Sequence, residues 1–219
     1  MFFRGEYEPA VTKFLQTVAR PGWTVVDVGA NVGYFSVLCA DLGGPGSHVV
    51  AFEPEPRLNA MLERTASVNP QADILVQIAA CGSTPGLATL HLSPDDRHSG
   101  LATLRSDLHD TRGVQVLVLR LDDFCGAHGI RPDLVKIDAE GFELEVLRGC
   151  GYLLEQRIPQ HLLVELSPER EDPATTIGLL RYHGYEPFNI GPEGSLTPLG
   201  KLNEVYEDVC FVRNSSVAS

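Results

Sequence analysis

Two stretches of the chain combine residue types and spacings that could do chemistry. In the first, Asp27-Val28-Gly29-Ala30-Asn31-Val32-Gly33-Tyr34 closes a short β-branched run. Gly29 permits a tight turn, Gly33 permits close backbone approach, and the N–H groups of a helix starting there attract an anion. Glu53 lies 24 residues beyond Gly29, where a carboxylate can accept both hydroxyls of a ribose. A plainer role is open to it, because Glu53-Pro54-Glu55 precedes a helix whose dipole favours acids. A dinucleotide pyrophosphate fits poorly, since its fingerprint needs glycines where this chain has Asn31 and Tyr34. A carboxylate or amino-acid moiety is the better match, and Asp27 beside the loop suits a positively charged α-amino group. Together Asp27, Gly29 and Glu53 point to a nucleoside-type ligand.

The second stretch is Lys136-Ile137-Asp138-Ala139-Glu140-Gly141-Phe142-Glu143. On a strand, Lys136 and Asp138 share one face and Ile137 takes the other. Asp138, Glu140 and Glu143 then crowd the strand's carboxyl end, and Glu165 ends the next strand at the same rim. From Asp138 to Asp172 there are nine acids against three arginines, so the carboxylates repel one another. One of them can act as a base, pair with Lys136, or bind a divalent ion through oxygen. Glu143, Glu145, Glu169 and Glu171 read as a solvated helix face. Asp138 and Glu165, at strand ends, read as functional. Of the seven histidines, only His98, just before Ser99-Gly100, falls where a ligand loop would lie; an ordinary surface loop is the alternative. No His or Cys pair has metal-ligand spacing, so no metal ligand is assigned. Nucleophile-elbow and P-loop motifs are absent, which removes the corresponding hydrolase and nucleotidase readings.

Apolar periodicity supplies the elements that must position these groups. Val11, Phe14, Leu15 and Val18 predict an amphipathic helix over 9–20, stopped by Pro21-Gly22. Buried strands follow at 23–28, 48–52 and 73–79, with helices around Phe35–Leu42 and Leu58–Thr65. The stretch from Cys81 to Gly113 is polar and irregular, and so long a one reads as a substrate loop or lid over 82–113. Beyond it come strands at 114–121, 134–138 and 161–166, a helix from Phe142 to about Leu153, and a helix over 173–183. Strands at 185–190 and 208–212 finish the chain. Alternating strands and helices specify a mostly parallel sheet covered on both faces, in a single domain.

Composition bounds the partners. The 219 residues are 43% hydrophobic and carry a net charge of −12, which excludes nucleic acid as the main partner because phosphate binding needs clustered Lys and Arg. The apolar runs are too short to span a bilayer, and Met1-Phe2-Phe3-Arg4 leads into charged residues rather than a signal peptide. Five widely separated cysteines (Cys39, Cys81, Cys125, Cys150, Cys210) read as reduced thiols of a cytoplasmic protein.

These residues resemble the FkbM family of S-adenosylmethionine-dependent methyltransferases. The likeness runs from Tyr7-Glu8-Pro9 through 25–36 to Phe52-Glu53-Pro54, and resumes over 133–143 and Val146-Leu147-Arg148-Gly149. It implies the class I methyltransferase fold, a Rossmann-like three-layer α/β sandwich whose seven-stranded sheet has an antiparallel last strand at 205–212. It implies S-adenosyl-L-methionine as cofactor and methyl transfer to a hydroxyl of a sugar or secondary metabolite. Asp27, Gly29, Asn31 and Gly33 would hold the methionine part, Glu53 the ribose, and Ala79 and Ala80 would lie by the adenine, with Tyr7 closing over them. Asp138 or Glu165, with Glu140 next, is the candidate base, and Lys136 would hold such a base or lower an acceptor's pKa. The loop with His98 and Ser99 would cover a small-molecule or carrier-borne acceptor. The cofactor motifs leave N-methylation of an amide or peptide open. A nicotinamide-dependent oxidoreductase, disfavoured by Asn31 and Tyr34, and a non-catalytic binding module are the readings from other classes.

Overall fold

The computed structural model describes residues 7–92, 103–104, 113–167, 169, 172–200 and 208–214. In chain order it runs α1 (Pro9–Val18), β1 (Thr24–Val28), α2 (Tyr34–Gly43), β2 (His48–Phe52), α3 (Pro56–Val68), β3 (Ile74–Gln77), β4 (Ala80–Cys81), β5 (Gly86–His91) and β6 (Gly113–Leu119). Then follow α4 (Leu121–His128), β7 (Leu134–Ile137), α5 (Glu143–Arg148), α6 (Gly151–Glu155), β8 (His161–Glu165), α7 (Pro173–Tyr182), β9 (Tyr185–Ile190), β10 (Leu196–Pro198) and β11 (Asp208–Arg213).

Val-, Leu- and Ile-rich runs such as Val25-Val26, Val49-Val50 and Leu134-Val135 suit strands buried on both faces. They form a parallel core in the order β3-β2-β1-β7-β8. β11 enters antiparallel between β8 and β9, and β10 folds back antiparallel on the outer edge of β9. Alternation along the strands sends neighbours to opposite faces. Val25, Leu134, Leu163 and Cys210 meet Val11, Phe14 and Leu15 of α1 and Phe35 and Cys39 of α2 on one face. Val26, Val28, Val135, Ile137 and Val164 meet α4, α5, α6 and α7 on the other.

Seven of the eight strands expected from periodicity form this sheet with the antiparallel insertion, and β10 extends it by one; the strand expected over 114–121 is β6 and lies outside it. The irregular stretch is only partly irregular. Gly86–His91 is a strand, antiparallel to β6, and β6 also pairs with β4 in a small second sheet. This sheet has its own core of Ala80, Leu90, Val116 and Val118. β5 eluded the periodicity because most of it is exposed, and its leucines, exposed Leu87 and buried Leu90, are three residues apart and so fall on opposite faces. The helix expected over 142–153 is two. α5 ends at Arg148 with Gly149 as its C-cap and α6 starts at Gly151, and the missing side chain of Gly149 lets it pack against the Gly82 carbonyl. All five cysteines are free and buried, and no described helix is long and apolar enough to cross a membrane.

Candidate active site

β1, β2, β7 and β8 all run in the same direction, and their carboxyl ends open into one cavity of about 310 Å³, within the range of small-molecule sites. β1 lies between β2 and β7, so the Val28-Gly29 turn and Asn31 line the middle. Glu53, Phe52, Leu58, Ala79, Ala80 and Cys81 line the β2 side, with Leu90 and Leu104. Asp138, Glu140, Phe142 and Glu165 line the β7–β8 side, together with Tyr7 and Glu8. One side is mostly apolar and the other mostly acidic.

The turn after β1 is built by two glycines with different duties. Gly29 has a left-handed backbone (φ +74°), and a Cβ on it would strike the Asp138 carbonyl oxygen. Its absence of side chain brings the ends of β1 and β7 together. Gly33, at the start of α2 with φ +89°, does not line the cavity; a Cβ there would sit 2.6 Å from Leu62 Cδ1. Its close approach is to α3. Between them Asn31, itself left-handed (φ +53°), donates its backbone N–H to Glu53 Oε2 at 2.9 Å. Glu53 Oε1 accepts the N–H of Glu55 at 2.8 Å. The carboxylate is therefore fixed in direction with acceptor capacity left on each oxygen. Burial pushes its pKa up to about 7, against the pull of those two backbone N–H groups.

On the acidic side, Lys136 is 3% exposed, donates to Asp138 Oδ2 at 3.0 Å and lies over the Phe35 ring. Burial works against its charge, but Asp138, Asp27 and Asp208 outweigh burial and hold its pKa raised. The register explains the gathering. Asp27 pairs with Lys136 across β1 and β7, and Asp208 pairs with Glu165 across β11 and β8, so all four project to the face that α1 and α2 cover. Neither Lys136 nor Asp27 lines the cavity. Asp27 is buried beneath it, accepting from Ser36 Oγ at 2.6 Å, and burial raises its pKa.

Glu143 corrects the expectation of a solvated helix face. It is 3% exposed, and its Oε1 accepts the N–H groups of Ala139 (2.9 Å) and Gly141 (3.1 Å). That bracket holds the 138–141 turn, where Glu140 sits at φ +53°, a conformation that costs energy in a non-glycine residue. Glu145 pairs with Arg148 and Ser83 on the surface, and Glu169 is exposed; Glu171 lies outside the described residues. So do His98 and Ser99. Among the described residues no group of three or more His, Cys, Asp or Glu is arranged to hold a metal ion.

Glu8, Asp208 and the apolar residues Cys81, Leu90, Leu104 and Phe142 enter the site or its border without having been singled out from the sequence. The register of Asp208 opposite Glu165 is the one signal that could have found it, and it exists only once the antiparallel pairing is known.

The chain matches the family described as Methyltransferase FkbM domain over residues 27–187. It is 32% identical over 193 residues to 31-O-demethyl-FK506 methyltransferase FkbM of Streptomyces tacrolimicus, covering 76% of this chain and 74% of that one. To Methyltransferase 1 of Beauveria bassiana it is 31% identical over 184 residues, covering 74% and 71%. Among solved structures, methyltransferase FkbM from Methylobacillus flagellatus shares the fold with a TM-score of 0.59 at 17% identity. That likeness covers 94% of this chain and 48% of the other, so the chain spans about half the length of that neighbour. With a matched domain across most of its length and relatives above 30% identity, the chain belongs to the FkbM family of S-adenosylmethionine-dependent methyltransferases.

Proposed function

We propose that the chain holds S-adenosylmethionine in the cavity described above and methylates a hydroxyl group of a sugar or secondary metabolite. One observation carries this reading. The fixed Glu53 carboxylate and the acids Asp138, Glu140 and Glu165 line the same cavity from opposite sides. The donor set fits the cofactor: Glu53 has lone pairs left for two ribose hydroxyls, Ala79, Ala80 and Leu58 offer an apolar wall for a flat base, and the acidic side suits cationic groups. The bound cofactor supplies an electrophilic methyl group with its own leaving group.

The protein's part is alignment and proton handling. Holding acceptor and donor in line contributes on the order of 7–11 kcal/mol. The acceptor hydroxyl must also lose its proton. Asp138 and Glu165 are the candidate bases, with Glu140 next. Lys136 fixes Asp138 through Oδ2 and leaves Oδ1 for an acceptor. Leu90 and Leu104, which border the stretch containing His98 and Ser99, line the cavity; this supports a share for that stretch in choosing the acceptor.

The test is incubation with methyl-labelled S-adenosylmethionine and a panel of neutral polyhydroxy acceptors, followed by mass and NMR analysis. The expected product carries a new O-methyl group, and Asp138→Asn or Glu165→Gln lowers kcat by on the order of 10²–10⁴-fold while S-adenosylhomocysteine still binds. An N-methyl product, or transfer indifferent to both variants, overturns the reading.

A further inference from the structure

The carboxylate best placed by sequence to meet the cofactor's α-amino group was Asp27, and Asp27 is beneath the cavity rather than in it. Glu8 lines the cavity on the acidic side. Its backbone is left-handed (φ 43°, ψ 71°), and although it holds the N-cap position of α1, its side chain does not cap that helix. The side chain is instead hydrogen-bonded to Tyr7 and to Asp208. Its Oε2 is buried without a hydrogen-bond partner. A buried acceptor left unsatisfied is costly, so its retention beside a cavity calls for a donor that arrives with the ligand.

Two carboxyl groups can hydrogen-bond only by sharing a proton. Facing this pair are Tyr7 from the segment before α1, Lys136 from β7 and Asp138 just beyond that strand. Glu165 stands in register with Asp208 on β8. Among the described residues the one cation facing the pair, Lys136, is already bonded to Asp138 and flanked by Asp27 and Asp208. Negative charge is therefore in excess at this side of the cavity, and the shared proton relieves it. Burial pushes Asp208 up to about 7, and raises Glu8 as well, with Lys136 opposing in both.

We infer that Glu8, backed by Asp208, receives the ammonium group of the bound cofactor and that loading expels the proton the two carboxyls share. The ammonium N–H bonds to Glu8 Oε2, and the displaced proton leaves to solvent. Glu8 is here a cofactor-binding residue and Asp208 a positioning residue. The inference rests on the cofactor site proposed above.

The test is calorimetric titration with S-adenosylhomocysteine and with 5′-methylthioadenosine, which keeps adenine and ribose but lacks the amino-acid part. Wild type, Glu8→Gln and Asp208→Asn are titrated at mildly acidic pH in buffers of different ionisation heat, so that protons released per ligand are counted. Glu53 meets the ribose of both ligands, so its proton cancels in the comparison. Glu8→Gln is expected to weaken S-adenosylhomocysteine about tenfold or more and to leave methylthioadenosine binding unchanged. The wild type is expected to release more protons with S-adenosylhomocysteine than with methylthioadenosine, and both variants to lose that excess. Equal weakening of both ligands, or equal proton release in the wild type, overturns the role of Glu8. Wild type that binds neither ligand overturns the cofactor site itself. Should Glu8→Gln not fold, the wild-type proton count and Asp208→Asn decide.

Discussion

Carboxylates do three different jobs around one cavity, and burial with hydrogen-bond partners tells them apart. Glu53 presents itself to the cavity, Glu143 braces a turn, and Asp27 lies beneath. For Glu53 the free group titrates at 4.5 and the folded one at about 7. The folded state therefore holds an extra proton between those values, and the group's contribution to stability is complete below 4.5 and lost as pH rises through about 7. Ligand binding has the opposite sign, because ribose hydroxyls donate to the ionised carboxylate. S-adenosylhomocysteine affinity should climb with pH and level off above about 7, while the melting temperature of the free protein should show a falling contribution that Glu53→Gln removes. Glu143→Ala strips the partners from two backbone N–H groups. It should cost about 1–3 kcal/mol and lower methyl transfer more than cofactor affinity; Glu143→Gln, which keeps an acceptor oxygen, should recover most of both. Thermal melts and kcat beside titrations would check this. At this scale the sequence showed residue types but not their surroundings. Glu53 was legible because its distance from Gly29 is local to one strand-helix-strand unit. The bracketing role of Glu143 was not, since acids on a short helix look solvated until the turn folds back over them.

The elements that carry the site are those whose sequences repeat most plainly. Parallel strands buried on both faces make unbroken apolar runs, so β1, β2, β7 and β8 were legible with their helices, and with them the rim where the site lies. β5 was hidden by exposure, and β10, three residues including Pro198 at a sheet edge, left no periodicity to read. The Glu8–Asp208 pair joins residues from opposite ends of the described chain, and no local pattern announces such a contact. The turn after β1 is the element most exposed to a single change. Gly29→Ala would drive a Cβ into the Asp138 carbonyl and impose a left-handed backbone on alanine. The expected loss is about 3 kcal/mol or more, with separation of the β1 and β7 ends. Gly33→Ala should be milder, since Leu62 Cδ1 is the far end of a flexible side chain; comparing the two midpoints in denaturant tests the order.

Across the whole molecule, a net charge of −12 and an acidic cavity side impose an electrostatic preference. Neutral acceptors should outpace carboxylated analogues of the same shape, and added salt should narrow the gap by screening; kcat/KM for such a pair at two ionic strengths checks it. The same charge favours a cofactor that brings positive groups with it. What joins fold, family and chemistry is the claim that the cavity at the carboxyl ends of β1, β2, β7 and β8 is where that cofactor sits, with Glu53 on its ribose. Calorimetric titration of S-adenosylhomocysteine into wild type and Glu53→Ala tests this most directly. Binding by the wild type that weakens by about tenfold or more in the variant is the expected result. Wild-type binding left untouched by Glu53→Ala, or no binding at all, would contradict it.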